Sequence, residues 1–219
     1  IIESNKMAIK KIVTIWDDNK ILKENINFLQ TKTKAVTFPA SDFIKNIIQD
    51  LIDTYKMINC AGIAANQIGY QYQIFIGMKE LENLEDAKEI EKAEAELTAV
   101  DGNPHGDNYE IYINPQIDKS DKNSINQDEE GCLSIPGLLV DRQRYDIIKV
   151  RYYDINGKVH KTTMTGFLSK LFQHELDHLN GELMLDNHSK LNNLYPIDQD
   201  PENGKKYQAL YSAYMKLKK

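Results

Sequence analysis

Apolar residues between positions 43 and 55 recur at intervals of three and four: Phe43, Ile44, Ile47, Ile48, Leu51, Ile52 and Tyr55. That spacing places them on one helix face, and Ser41 or Asp42 behind Pro39 supplies a start signal, so a helix is predicted to run to about Met57. A second helix is predicted over 167–179. A third is predicted near the end of the chain, where Tyr207, Leu210, Tyr211, Tyr214 and Leu217 share a side. The other apolar runs are short. Residues 72–78 and 109–117, the latter interrupted by Pro115, read as strands, and 12–16 is a brief apolar run ahead of an Asp17-Asp18-Asn19 turn. Residues 145–153 and 158–165 read as a hairpin around Asn156-Gly157, a dipeptide suited to the positive φ values of tight turns. Small residues make 62–69 loop-like, and the polar stretch before Glu130 reads as a loop. The pattern is mixed α and β, with no internal repeat and no Pro/Gly/Ser linker.

A chain of 219 residues suffices for one domain with its own core, and 1–219 is read as a single domain. Apolar content of 41% and charged content of 27% suggest a compact domain carrying one strongly solvated segment. Between Lys79 and Glu96, eight acids face three lysines, which accounts for most of the chain's net charge of −6. This run reads as a solvated helix face within an acidic insertion or extended loop over 79–108, closed by the breaker cluster Asp101-Gly102-Asn103-Pro104-His105-Gly106. The acidic balance argues against nucleic acid as a partner, because phosphate binding needs a basic footprint. Two cysteines, Cys60 and Cys132, give no secreted-type framework, and no apolar run reaches membrane-span length or forms a signal-peptide core. No membrane association is expected, and a reducing interior is the default. Residues 1–6, ahead of Met7, read as a remnant appended to the chain.

Chemistry enters with Gln173-His174-Glu175-Leu176-Asp177-His178, a match to H-E-x-x-H. Residues four apart on a helix lie one turn above each other, so two imidazoles can converge on one ion. Glu175 flanks that ion, where a base for a water on the metal should stand. The bland alternative is a solvated helix that happens to carry two His and two acids. A catalytic site of this type needs a third protein ligand and an open position. Residues 178–184 imitate the metzincin pattern as far as Gly181, but Met184 stands where a third His belongs, and Met is a poor ligand for a hard hydrolytic ion. Glu182, Asp186 and Glu202 are downstream carboxylates, and neither Glu182, one turn beyond His178, nor Glu202, after Pro196 and Pro201, has an evident return to the site. Upstream, Cys132 in Glu130-Gly131-Cys132-Leu133-Ser134 offers a thiolate beside a small residue, and Cys–His–His leaves a fourth position open.

Three stretches in order resemble the motifs of the peptide deformylase family. Gly62-Ile63-Ala64-Ala65-Asn66-Gln67 is similar to the first, Glu130-Gly131-Cys132-Leu133-Ser134 to the second and Gln173 to His178 to the third. The likeness spans most of 36–186. It departs at Cys60, where the first motif often opens with Gly, and around 17–22, where the family's opening Pro is missing. The resemblance implies an α+β fold: mostly antiparallel β-sheets around a central helix bearing His174 and His178, with a C-terminal helix. It implies that Cys132, His174 and His178 hold one divalent ion, Fe2+ in the cell, with Zn2+, Ni2+ or Co2+ able to substitute. Ligand softness alone would suggest zinc.

By the same resemblance Glu175 is the general base, and Gln67 and the backbone N–H of Leu133 stabilise the oxyanion. Ala61, Gly62 and Gly131 hold an extended N-formyl-methionyl peptide. Leu171 and Phe167, one and two turns before His174, line a pocket for the methionine side chain, although helix core is an equally good reading of both. The family pattern also pairs Glu130 with Arg142. The expected enzyme removes the formyl group of nascent chains, releases formate, comes transiently near the ribosome, and acts as a monomer in bacterial cytosol or an organelle matrix. Three alternatives stay open at this point. One is an H-E-x-x-H endopeptidase with a downstream carboxylate ligand, and another is a structural Cys–His–His site without catalysis. The third is a Cys60–Cys132 disulfide, which would remove the third ligand.

Overall fold

A computed structural model describes residues 9–79, 102–186, 194–197 and 200–218. The acidic stretch 80–101, residues 1–6 and His188 lie outside them. The element order is β1 (Trp16–Asp17), β2 (Lys20–Ile21), α1 (Lys23–Leu29), α2 (Asp42–Met57), β3 (Gly62–Ala64), β4 (Ile74–Met78), β5 (Tyr109–Ser120), β6 (Ile125–Cys132), β7 (Ile135–Tyr145), β8 (Ile147–Tyr153), β9 (Val159–Thr165), α3 (Gly166–Asn180), β10 (Leu194–Pro196) and α4 (Pro201–Leu217). This is an α+β architecture. Every pairing between these strands is antiparallel, in a five-stranded sheet ordered β3-β4-β5-β8-β9, a three-stranded sheet ordered β10-β7-β6 and the small β1-β2 hairpin.

The five-stranded sheet is covered on both faces. On one side α2 sets Ile44, Ile47, Ile48, Leu51 and Tyr55 against Ile63, Ile74, Ile76 and Ile113. On the other, α3 sets Phe172 and Leu179 against Phe75, Tyr112, Ile148 and Val150. Alternate residues of β4 therefore enter different cores, which is why it reads as a continuous apolar run rather than an alternating one. The Ser41 side chain caps α2 by accepting the Ile44 N–H, as the start signal predicts. A separate core joins the three-stranded sheet to α1 and α4 through Trp16, Leu29, Leu138, Val140, Leu210 and Tyr214.

The 12–16 run contributes only Trp16 to a strand, and the turn falls at Asp18, which takes a φ of 48°. The segment 62–69 divides into the edge strand β3 and a 3-10 turn, Ala65–Ile68. The polar stretch before Glu130 is mostly strand β6, whose side chains point largely to solvent and so show no alternation. The predicted hairpin is β8–β9, with Gly157 at φ 78°.

Candidate metal centre

Packing of α3 sets the direction of its chemistry. Phe172 and Leu179 anchor it to the sheet, and Ser169, Gln173, Glu175 and His178 are buried with them. His174 and His178 lie one turn apart with ring centroids separated by 5.0 Å. The helix ends at Gly181 in the left-handed region, φ 77°, where a Cβ would lie 2.4 Å from the Gln30 carbonyl oxygen, so only glycine lets α1 and α3 meet so closely. Buried Asn66 donates its amide to the His178 carbonyl at 2.6 Å and secures this last turn.

Cys132 arrives from the other sheet. It ends β6 at a register shift beside Gly131, and the chain turns directly into β7. Its Sγ lies 3.2 Å from His178 Nε2, and the three ligand atoms of Cys132, His174 and His178 all lie within 4.8 Å of one another. Both cysteines are free thiols, so no disulfide removes the third ligand. Burial, followed by the charge of neighbouring His174, pushes the His178 pKa well below its ordinary value, favouring the neutral imidazole that metals bind. Donor chemistry and convergence fit one divalent ion.

Behind the ligands stands a charged cluster. His174 Nδ1 donates to Glu130 at 3.0 Å, which orients the ring and leaves Nε2 for the ion. Glu130 accepts two further bonds, from Arg144 at 2.6 and 2.9 Å. Burial works against its charge, but Arg144 and His174 hold the carboxyl well below the usual carboxylate range. The expected Glu130–Arg142 pair is thus corrected. Arg142 and Arg144 share a face of β7, and Arg142 reaches instead to the Leu183 and Met184 carbonyls and to Asp177. Asp177 also accepts from Arg144 at 2.6 Å, so its place between the ligands is that of a bridge.

The front of the site is a cavity of about 550 Å³. Ala61, Gly62, Gln67, Gly131, Leu133, Phe167, Leu171, His174 and Glu175 line it, as do Asn59, Cys60 and Ile197, none of which the sequence motifs assign to a substrate wall. It opens between two sheet edges, β3 and β6. Glu175 is 2% exposed, and its Oε2 has no hydrogen-bond partner. Burial pushes this carboxyl up to about 7, against the lowering pull of His174. A Cβ on Gly62 would lie 2.8 Å from Glu175 Oε1, so the missing side chain admits the carboxylate against the strand. Gln67 accepts the Ala64 N–H at 2.9 Å and turns its amide toward Ser134 Oγ at 3.1 Å and Cys132 Sγ at 3.6 Å. Leu171 packs close to Gly62, while Phe167 sits on the rim and is 57% exposed.

The downstream carboxylates are engaged elsewhere or turned away. Asp186 accepts from Gln30, Tyr214, Lys218 and the Leu183 N–H, Glu202 pairs with Lys205, and Glu182 is exposed. His160 pairs with Asp154, and His105 is buried away from the donors, so neither joins the cluster.

A Cys–His–His group facing a cavity from an H-E-x-x-H helix, on an antiparallel α+β scaffold, defines a metal-dependent hydrolase acting on an amide. A family model described as polypeptide deformylase matches residues 18–194, and the chain belongs to that family. Peptide deformylases of Chloroflexus aurantiacus and Desulfotalea psychrophila are each 34% identical to it; the alignments cover 89% and 86% of this chain and 100% and 94% of theirs. Among solved structures, the fold is similar to a peptide deformylase from Thermotoga maritima, with a TM-score of 0.62 and 27% identity over 83% of this chain and 99% of that one. It is similar also to one from Synechococcus elongatus in complex with actinonin, with a TM-score of 0.62 and 26% identity over 87% of this chain and 84% of that one. Peptide deformylase activity, with a formylated peptide as substrate, follows from this membership. Among the described residues no helix is long and apolar enough to cross a membrane.

Proposed function

We propose that Cys132, His174 and His178 are the ligands of one ion, Fe2+ in the cell, and that the cavity beside them takes the formylated N-terminus of a methionyl peptide. The observation that carries this reading is Glu175, a buried carboxylate on the cavity wall beside the three donors with one oxygen, Oε2, that has no hydrogen-bond partner. A group so placed costs stability, and perturbed carboxyls in clefts are characteristic of catalysis. When bound, the ion supplies Lewis acidity, lowering the pKa of water and polarising the formyl carbonyl. Glu175 takes the proton of the attacking water as its oxygen bonds to the formyl carbon. It returns that proton to the amine nitrogen as the C–N bond breaks, giving formate and a free N-terminus. Gln67 Nε2 and the backbone N–H of Leu133 donate to the carbonyl oxygen as it becomes anionic.

Backbone groups of Ala61, Gly62 and Gly131 hold the peptide extended between the free edges of β3 and β6. Leu171 and Phe167 receive the methionine side chain. The whole chain acts as one catalytic domain, a monomer that meets nascent chains near the ribosome in bacterial cytosol or an organelle matrix. Ligand softness favours zinc, while family resemblance favours iron, with nickel and cobalt as further substitutes.

Formate release from a formyl-methionyl peptide tests the reading. Release by metal-replete wild type, lost in a Glu175→Ala variant that keeps its metal, supports it; no release by wild type overturns it. Metal content after anaerobic purification, with activity per bound ion, tests the iron. Equal or higher activity with zinc overturns that preference.

A further inference from the structure

Helix α2 ends beside the cavity, and the last turn of any helix leaves carbonyls without partners inside it. Here Asn103, in the Gly102–Gly106 turn, meets two of them. Its side-chain amide donates to the Tyr55 carbonyl at 2.9 Å, and its backbone N–H donates to the Lys56 carbonyl at 2.9 Å. The same amide donates to the Cys60 carbonyl at 3.0 Å. The turn around Asn103 is held by contacts of its own: its Oδ1 accepts the His105 N–H at 2.9 Å, its carbonyl accepts the Gly106 N–H at 2.9 Å, and Lys56 pairs with Asp107 at 2.7 Å. One side chain therefore ties the cavity wall at Cys60 to the end of the helix behind it.

That wall has little freedom on its other side. The Ala61 carbonyl accepts the Met78 N–H at 2.8 Å, and Gly62 abuts Glu175 with no room for a Cβ. Asn59, Cys60, Ala61 and Gly62 are successive lining residues, so the Cys60 carbonyl lies within the wall, directly before the Ala61–Gly62 edge. A shift of this segment by an ångström would change the separation at which a second strand could pair with β3, and so weaken the backbone hydrogen bonds that hold an extended peptide there.

We infer that Asn103 is a positioning residue for deformylation: by fastening the Cys60 carbonyl to the end of α2, it sets the Ala61–Gly62 edge where an extended formyl-peptide pairs with it. This rests on the deformylase reading and assigns Asn103 no contact with the reacting atoms. The role belongs to the amide donor. Asn103→Asp keeps the size and the acceptor for His105 but aims a carboxylate at two carbonyls, so it should fail as Asn103→Ala does.

Both variants, full-length and metal-loaded, are compared with wild type on a formyl-methionyl tripeptide and on formyl-methionine alone, which has no following backbone to pair. The tripeptide KM should rise roughly tenfold with kcat within about twofold, while kcat/KM for formyl-methionine stays within about twofold. A tripeptide KM within about twofold of wild type overturns the inference, as does an equal loss on both substrates. If neither variant folds, Gly102→Ala decides by the same comparison, since a φ of 88° and a Cβ 3.0 Å from the Lys56 carbonyl oxygen would displace Asn103 without removing it. No formate from wild type would instead remove the deformylase reading itself.

Discussion

The two sides of the metal centre differ in how completely their polar groups are satisfied. Behind the ligands, Glu130, Arg144, Asp177 and Arg142 form a closed set of ion pairs in which every charged group meets an opposite charge. In front, Glu175 is more deeply buried than Glu130 or Asp177 yet keeps an oxygen without a hydrogen-bond partner, and the sheet edges β3 and β6 face the same cavity. Both regions share α3 and β6, and the carboxylate in front is the more deeply buried, so the unsatisfied oxygen is not explained by exposure to solvent. Saturated contacts behind hold the donors in place, while the front leaves one carboxylate oxygen unpaired toward the cavity.

The largest test of the contrast is Glu175→Gln. The amide keeps the shape and removes the base, so kcat should fall roughly 10²–10⁴-fold. Because the carboxylate is isolated, the variant should melt no lower than wild type, as expected where a site trades stability for activity. Steady-state kinetics and calorimetry on samples of equal metal content check both halves. A variant that keeps its kcat, or that unfolds early, would place Glu175 with the supporting groups.

Gln67→Ala should follow, with kcat reduced roughly 10²–10³-fold at unchanged metal content if its amide serves the developing oxyanion. Gln67 also links Ala64 to Ser134 across two walls, so a stability loss of about 1–3 kcal/mol should accompany it. Loss of stability without loss of kcat would make the residue a brace only.

Arg144→Met probes the saturated side. It leaves Glu130 buried with only His174 for a partner, and breaking a buried pair in this way costs about 3–5 kcal/mol. Because Glu130 orients His174, metal affinity should weaken roughly 10–100-fold in a competition titration with a chelator. Unchanged metal affinity would show that the ring is held by packing instead.

What the sequence made legible follows the range of the interactions involved. Helices α2 and α3 are visible because their buried faces repeat every turn, and H-E-x-x-H is a local motif on one of them. Cys132 is legible through its motif, not through any periodicity. Strand β6 reads as loop because almost every side chain on it is solvated, and β3 because it has only three residues, two of them small, and pairs with a strand more than ten positions away. The seven residues of α1 bury only Ile26 and Leu29, too few to show a period. Arg142 and Arg144 are hard to tell apart in sequence because residues two apart on a strand share a face; the fold gives Arg142 to the loop after α3 and Arg144 to Glu130. Ile197 and Asn59 reach the site by topology, with no chemical signature of their own.

The smallest predicted effect separates burial from mere pairing. Lys170 and Asp128 also join α3 to β6, at 2.7 Å, but the Asp128 side chain is 60% exposed. The Lys170 hydrogen bond, helped by the Glu129 N–H, holds this carboxyl below its ordinary range. A depressed acid contributes stability above its unfolded pKa and loses it as pH falls through the lower folded value. The difference between wild type and Asp128→Asn should therefore be present at neutral pH and vanish in strong acid. Screening by solvent keeps it to about 0.5 kcal/mol or less, and molar salt should erase it. Denaturant unfolding at low and high salt, with Lys170→Met and the double variant completing a cycle, measures the pair alone. A coupling of several kcal/mol that survives salt would mean the cavity rim is as tightly saturated as the support behind the ligands, and the contrast between the two sides would have to be redrawn.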